Sequence, residues 1–405
     1  MKTVWLLNHY AAAPTDSGGT RHHGLARHAA GLGYRIIIVA ASVEHFTGRQ
    51  RLRNDEKTRF EVIDGVSFLW IRTTPYSGNG WDRIRNMLEY TWRAMRRSTT
   101  AELPAPCAVI GSSVHPLAAL AAQRIASRHG VPFVFEIRDL WPETLIAMNR
   151  IGRHGIVAIA LRTLERWLCR SASRIIVLLP HARDYLREMG VESESVVWIP
   201  NGVDLETFPC YPLPDRSPLT VMYLGAHGTA NGLDRILDAI HLLARGSEGS
   251  RFRFRFVGDG PMKDALVLRA KALGISDQVS FEPAVSKAAL PELAAQADIF
   301  VMNVRDLELY RYGFSFNKLF DYMAAARPIV FAGPRTDNPV AQASAGIVVD
   351  ADDAKGMASG IVDIAGSSLD ARREMGSRGR RLLESDYAQS ILARRLGNCL
   401  KEVGI

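Results

Sequence analysis

Residues 311–328, RYGFSFNKLFDYMAAARP, decide how the rest of the chain is read. Small and aromatic loop residues, Tyr312, Gly313, Phe314 and Ser315, lead to Asn317, which can start a helix; Lys318 to Ala326 are strong helix formers and Pro328 ends the run. A helix N-terminus therefore emerges from a glycine-containing loop. Its first N–H groups lack intrahelical partners and the helix dipole adds partial positive charge, so this end suits a phosphate, and Lys318 in the first turn adds a full charge. Asp321 follows Asn317 by four residues and Lys318 by three, on the same helix face. A carboxylate there is badly placed to hold an anion and well placed to accept sugar hydroxyls, so the two features together fit a nucleotide sugar. The same letters also describe an amphipathic core helix with a polar cap and a solvated lysine.

Outward from this stretch, the second half alternates short apolar runs with helical segments. LTVMYLGA (219–226), RFRFVGDG (253–260), QVSFEPAV (278–285), DIFVMN (298–303), RPIVFAG (327–333) and AGIVVDA (345–351) read as strands. Between Gly225 and Gly232 lies a strand-to-helix loop that can cradle a second phosphate, with His227 and Asn231 as hydrogen-bond donors. Gly258 and Gly260 allow close backbone approach.

The first half has the same rhythm, in VWLLNHY (4–10), YRIIIVAAS (34–42), VSFLWIRT (66–73), CAVIGSS (107–113), VPFVFEIRD (131–139), SRIIVLLP (173–180) and SVVWIP (195–200). Helical stretches 20–32, 116–129 and 155–171 intervene. Proline density and lost periodicity in CYPLPDRSPL mark a linker, which places the boundary near 205–218. The expectation is α/β architecture: two Rossmann-like, doubly wound domains, 1–205 and 206–385, facing across a cleft, with a last helix in 386–405.

Composition narrows the function. Among 405 residues, Cys107, Cys169, Cys210 and Cys399 show no C-x-x-C spacing, which argues against a zinc site and for a reducing compartment. The N-terminal MKTVWLLNHY reads as a strand rather than a signal peptide, and no run is long and apolar enough for a bilayer, so a cytoplasmic location is expected. A net charge of +8 favours anionic partners. Nucleic acid is not expected, because no zinc-finger, RNP or helix-turn-helix pattern occurs. Within 81–97, WDRIRNMLEYTWRAMRR sets Trp81, Ile84, Leu88, Trp92 and Met95 on one side and arginines on the rest. Such a helix either packs its apolar stripe into a core or lies on the inner face of an anionic membrane.

Further candidates lie at strand ends. Gly18 and Gly19 precede a helix in a βα turn, without the full G-x-G-x-x-G spacing. Arg138 and Asp139 emerge at the carboxyl edge of a strand and either meet a ligand or pair with each other; with Lys318 they are the candidates for the chemistry. Glu143, and His115 at another helix start, are candidates for acceptor contacts.

Residues 311–328 resemble the signature of the retaining glycosyltransferases of family 4, which have the GT-B fold and carry a Glu-x7-Glu motif through such a loop and helix. They are closer to a bacterial branch reading like SPNKLFEYMAAGKPI, which includes surface-polysaccharide amino-sugar transferases of lipopolysaccharide, O-antigen and capsule type. Asp321 aligns with the second acid and Gly313 with the first, which is therefore missing. RDLWP (138–142), PNGVD (200–204) and FVGDGP (256–261) match family segments in order. Many members have a histidine where Arg138 stands. The family's G-R-L-x-x-x-K-G loop aligns with 225–232, but Ala226 and Asn231 replace its two cations, so Lys318 carries more of the diphosphate charge.

The resemblance implies that Gly18, Gly19, Gly313, Phe314, Ser315, Asn317 and Asp321 surround the donor. It further implies that backbone near Val285 holds the base, and that the last helix returns to the first domain. It implies a UDP-linked donor carrying an N-acetylated amino sugar, and a saccharide or polyprenyl-diphosphate-linked acceptor. No Asp-x-Asp signature occurs, so neither cofactor nor metal is expected, and helix N-termini with Lys318 stabilise the leaving group. A UDP-sugar epimerase or hydrolase of the same fold, or a non-enzymatic sugar-nucleotide-binding protein, would share most of these features.

Overall fold

The computed structural model describes residues 1–405 apart from Ser17, Phe46, Ser77 and Asn79. The chain forms two compact units. The first comprises 1–201, 311–315 and 389–405; the second comprises 202–310 and 316–388.

The first unit is built on an eight-stranded sheet. Its strands are β1 (Lys2–Leu7), β2 (Tyr34–Ala41), β3 (Thr58–Ile63), β4 (Val66–Ile71), β5 (Ala108–Ser113), β6 (Phe133–Ile137), β7 (Arg174–Val177) and β8 (Val196–Trp198). They lie in the order β3-β4-β2-β1-β5-β6-β7-β8, with every pair parallel except β3 and β4. Leu6 of β1 stands opposite Ile38 on one side and Ile110 on the other, so β1 is where the winding reverses and a crevice opens at the strand ends. The parallel strands are almost wholly buried, which explains their continuous apolar runs. β3 was not among the expected strands. Its TRFEVI is half polar because it lies on the sheet edge, and it joins β4 through Asp64 and Gly65, both at positive φ (47° and 79°), a two-residue hairpin turn.

Helix Gln389–Glu402 belongs to this unit. Leu392, Leu396 and Leu400 enter the same apolar core as Leu25, Ala26 and Ala29 of helix Arg21–Ala30. Burial of each leucine contributes about 2 kcal/mol, a large sum against a total stability of about 5–15 kcal/mol.

The second unit holds six parallel strands, β9 (Leu219–Leu224), β10 (Phe252–Val257), β11 (Val279–Glu282), β12 (Ile299–Asn303), β13 (Ile329–Ala332) and β14 (Gly346–Val349). Their order is β11-β10-β9-β12-β13-β14, the doubly wound pattern with its switch point between β9 and β12. Arg327, at the end of the opening stretch, is fully buried. It donates to Ala295 O, Ala297 O and Ala325 O and to Tyr211 O and Pro212 O of the linker, which fixes that proline-rich segment to the sheet.

The units differ from the expected domains at their edges. The division falls after Asn201, and residues 311–315 leave the second domain for the first unit. Specific bonds explain this. Asn201 N–H donates to Ser315 Oγ at 2.8 Å and Asn201 Nδ2 to Ser315 O at 2.6 Å, while His181 N–H donates to Tyr312 O at 3.1 Å. Residues 386–388 stay with the second unit, where Val203 N–H donates to Tyr387 O.

Candidate active site

In the second unit, the turns that follow β9 and β10 lie in backbone contact. Gly225 N–H donates to Val257 O (3.0 Å), His227 N–H to Asp259 O (2.8 Å) and Met262 N–H to His227 O (3.0 Å). Gly258 has φ 149°, and a Cβ there would sit 1.9 Å from Gly225 O, so only glycine permits this approach. Lys263 locks the arrangement by donating at 2.9 Å to Gly258 O, Asp259 Oδ1 and Glu282 O. The sequence reading missed this role, although the lysine follows the Gly-Asp-Gly turn closely.

Helix Asn317–Ala324 begins with Asn317 as its first helical residue and Phe316 ahead of it, and among the described residues no side chain caps its amides. Lys318 Nζ donates to Tyr223 Oη at 3.0 Å and to Asn231 Oδ1, and lies 5.0 Å from the Tyr223 ring centre. Tyr223 Oη donates in turn to Ala226 O at 2.9 Å, and Asn231 Nδ2 donates to the same oxygen at 2.8 Å. Two neutral groups thus aim the ammonium beside the glycine loop, and its third N–H bond has no hydrogen-bond partner among the described residues. No carboxylate pairs with Lys318 among the described residues, and burial pushes its pKa down to about 7.

His227 is wholly buried between these turns, and neither ring nitrogen has a partner among the described residues. Burial, then the Lys263 charge, hold its pKa near 4 against Asp259, so the imidazole is neutral. Asp321 is also buried, and its Oδ1 accepts from Lys287 Nζ, a partner the sequence reading did not name. Burial raises the Asp321 pKa while Lys287 opposes. Lys287 sits two residues beyond Val285, whose loop is held by Ala284 N–H donating to Asp259 Oδ2 at 3.2 Å.

Gly313, Phe314 and Ser315 lie in the first unit. Gly313 has φ 86°, and a Cβ there would meet Pro180 Cγ at 2.4 Å, so the position that aligns with the family's first acid has no room for a side chain. Phe314 is buried, and Ser315 is held by Asn201.

In the same unit, Gly18 (φ 125°) and the exposed Gly19 precede helix Arg21–Ala30, whose N-cap residue Thr20 makes no side-chain capping bond among the described residues. Arg21 itself turns inward. It donates to Glu136 Oε1 at 3.0 Å, to Ile199 O at 2.8 Å and to Pro200 O. His22 Nδ1 lies 2.8 Å from Asn8 Nδ2, which leaves Nε2–H to donate to Glu136 Oε2 at 2.6 Å. Burial would raise the Glu136 pKa, but His22 and Arg21 outweigh it and hold the carboxylate ionised, while burial lowers His22.

Two residues beyond that carboxylate, Arg138 is half-buried and Asp139 exposed, with no ion pair recorded between them among the described residues. Glu143 is engaged by Arg162 at 2.8 Å. Glu165, unremarked in the sequence, is buried beneath this turn. It accepts from Trp141 N–H at 3.2 Å and from Tyr185 Oη, and burial lifts its pKa to about 8.

His115 lies at the crevice between β1 and β5. Its Nε2 is 2.7 Å from His9 Nδ1, both rings are buried, and His9 stacks between Tyr10 (4.3 Å) and Tyr90 (4.6 Å). Burial, then Arg83, push His115 to about 3, and burial, then His115, push His9 down as well, so both are neutral. A couple 106 residues apart in sequence leaves no local signal.

Comparison with known proteins agrees with this architecture. The family model "Glycosyl transferase 4-like domain" matches residues 18–202, and "Glycosyl transferases group 1" matches 218–367. "Probable glycosyltransferase WbjE" of Pseudomonas aeruginosa is 23% identical over 288 residues, covering 67% of this chain and 68% of that protein. Among solved structures, sucrose-phosphate synthase of Thermosynechococcus elongatus superposes with a TM-score of 0.76 at 15% identity over 100% of this chain and 99% of that one. HepE of Anabaena, solved with UDP-glucose, gives 0.67 at 13% identity over 99% of each chain. With two consecutive family models over most of its length and both sheets doubly wound, the chain belongs to the GT-B glycosyltransferases.

Proposed function

We propose that the protein transfers a sugar from a UDP-linked donor, with retention at the anomeric carbon, to a saccharide or polyprenyl-diphosphate-linked acceptor in surface-glycan synthesis. The observation that carries this reading is the lysine at an uncapped helix start: Lys318, aimed by Tyr223 and Asn231 beside the Gly225–Gly232 loop. This is a fixed, partly desolvated donor set of the kind that stabilises charge developing on a leaving diphosphate. The helix dipole and free amides add to it without a resident metal. The Lys287–Asp321 pair and the backbone near Val285 form the remainder of the nucleoside site. An N-acetylated amino sugar is the donor sugar favoured by resemblance. Arg138 and Asp139 are, with Lys318, the candidates for the chemistry, Glu143 and His115 the acceptor-side candidates, and 81–97 the candidate membrane contact. Transfer breaks the bond from the anomeric carbon to the diphosphate oxygen and forms one to an acceptor oxygen, whose proton leaves with the diphosphate.

The test is incubation with a panel of nucleotide sugars, scored for UDP release with and without lipid-linked saccharide. Acceptor-dependent release of UDP is expected. Acceptor-independent consumption of the nucleotide sugar would turn the reading towards an epimerase or hydrolase, and no nucleotide uptake by calorimetry would end it.

A further inference from the structure

Helix Trp81–Met95 is packed the opposite way from a core helix. The side it buries carries Asn86, Tyr90, Thr91 and Ala94, and Tyr90 Oη donates to Val39 O at 2.7 Å. Its apolar stripe points outward, with Trp81 83% exposed, Ile84 43%, Leu88 53% and Trp92 55%. The core-packing alternative for this stripe is therefore wrong. A second exposed apolar group, not expected from the sequence, opens helix Ile156–Ser171: Ile156 is 87% exposed, Val157 56% and Ile159 55%, with Met148 just before them at 44%. Both helices flank helix Pro116–His129. Arg128 of that helix donates to Met95 O at 2.6 Å, and its Arg124 guanidinium lies 5.4 Å from the Trp167 ring. Isolated exposed apolar side chains are ordinary, but two clusters on helices that pack against the same third helix are not.

The charge on these segments has one sign. Residues 81–97 and 148–170 hold ten arginines against three carboxylates, Asp82, Glu89 and Glu165, an excess of seven in a chain whose whole excess is eight. Glu165 is buried with its pKa raised to about 8, so it offers no counter-charge at neutral pH. Arg85, Arg96, Arg97, Arg150, Arg153, Arg166 and Arg170 are exposed.

We infer that these two helix faces form one composite docking surface for an anionic lipid bilayer, in which the aliphatic cluster 156–159 inserts alongside the tryptophan stripe and the arginines meet headgroup phosphates. This extends the membrane part of the proposed function and is independent of donor binding.

The test uses the full chain and vesicles of phosphatidylcholine, with or without about a third phosphatidylglycerol, scored by co-sedimentation. Binding is expected to the anionic vesicles and to be released by high salt. The triple variant Ile156→Ser, Val157→Ser, Ile159→Ser should weaken it at least about tenfold, and Arg150→Gln with Arg153→Gln about 25-fold, at about fivefold per near-surface arginine. Thermal unfolding and UDP binding of each variant should match the parent, so a failed docking surface stays distinct from a failed glycosyltransferase reading. Equal vesicle binding by the triple variant overturns the composite surface. Equal binding to neutral vesicles overturns the anionic partner. A dimer in sedimentation velocity that the same substitutions dissolve, without vesicle binding, makes the occupant a second copy.

Discussion

Replacing Lys318 with methionine keeps roughly the length and apolar stem of the side chain and removes its charge together with its hydrogen bonds to Tyr223 and Asn231. The consequence can be worked from the site. Burial beside Tyr223 and Asn231 puts the ammonium pKa at about 7, so it is about half protonated at pH 7 and about 1% protonated at pH 9. A UDP-sugar carries a diphosphate diester that does not titrate in this range. If the diphosphate binds only the ammonium form, apparent Kd scales inversely with that fraction and rises about 50-fold from pH 7 to pH 9, approaching one decade per pH unit. Binding takes up about half a proton at pH 7 and nearly one at pH 9. Calorimetry of UDP-N-acetylglucosamine in two buffers of different ionisation enthalpy measures both quantities. Lys318→Met should flatten the pH profile, weaken binding at pH 6 about 10- to 150-fold as a charged hydrogen bond is lost, and cut turnover by about two to three decades. The sign for the ligand-free protein is the reverse. The lysine pKa falls on folding from 10.5 to about 7, so the unfolded chain binds the extra proton between those values and this group's contribution to stability rises with pH across that window. Parent affinity independent of pH from 6.5 to 9, or a methionine variant that keeps the slope, would refute the assignment.

Restoring the family's first acid by Gly313→Glu should not raise activity. It places Cβ against Pro180 at a backbone φ of 86°, and should destabilise the fold by about 2 kcal/mol or more, read by urea unfolding. Glu165→Gln should be near neutral at pH 4, below both the folded and the unfolded value. Because folding raises the pKa from 4.5 to about 8, the parent loses stability as pH rises through that window, and the glutamine variant should be the more stable by about 4–5 kcal/mol at pH 9, scored by unfolding at both pH values. Lys287→Met leaves the buried Asp321 carboxyl unpaired and should cost about 1–3 kcal/mol, most of it recovered in the double variant with Asp321→Asn.

The central strands were legible because parallel strands buried on two faces read as unbroken apolar runs, and β10 because its FRFRFV alternates. β3 escaped because an edge strand is half polar, and only the Asp64-Gly65 turn announced it. Lys318 and Asp321 could be singled out from helix periodicity, but their partners Asn231, Tyr223 and Lys287 are separated from them by 87, 95 and 34 residues and no local pattern encodes such pairs. For the same reason the pairing of Arg21 with Glu136, 115 residues away, has no local signal. The helix 81–95 shows the limit of amphipathicity: periodicity identifies two faces, and only tertiary packing decides which one meets the protein.

The late return of 389–405 to the first unit bears on biosynthesis. The residues that finish the core around Leu25 and Ala29 leave the ribosome after the whole second unit has been made. At about 5–20 residues per second, the unit begun first waits about 10–40 seconds with an open apolar seam before Leu392, Leu396 and Leu400 arrive to seal it. Chaperone dependence and truncation sensitivity should therefore concentrate at the half that is translated earliest.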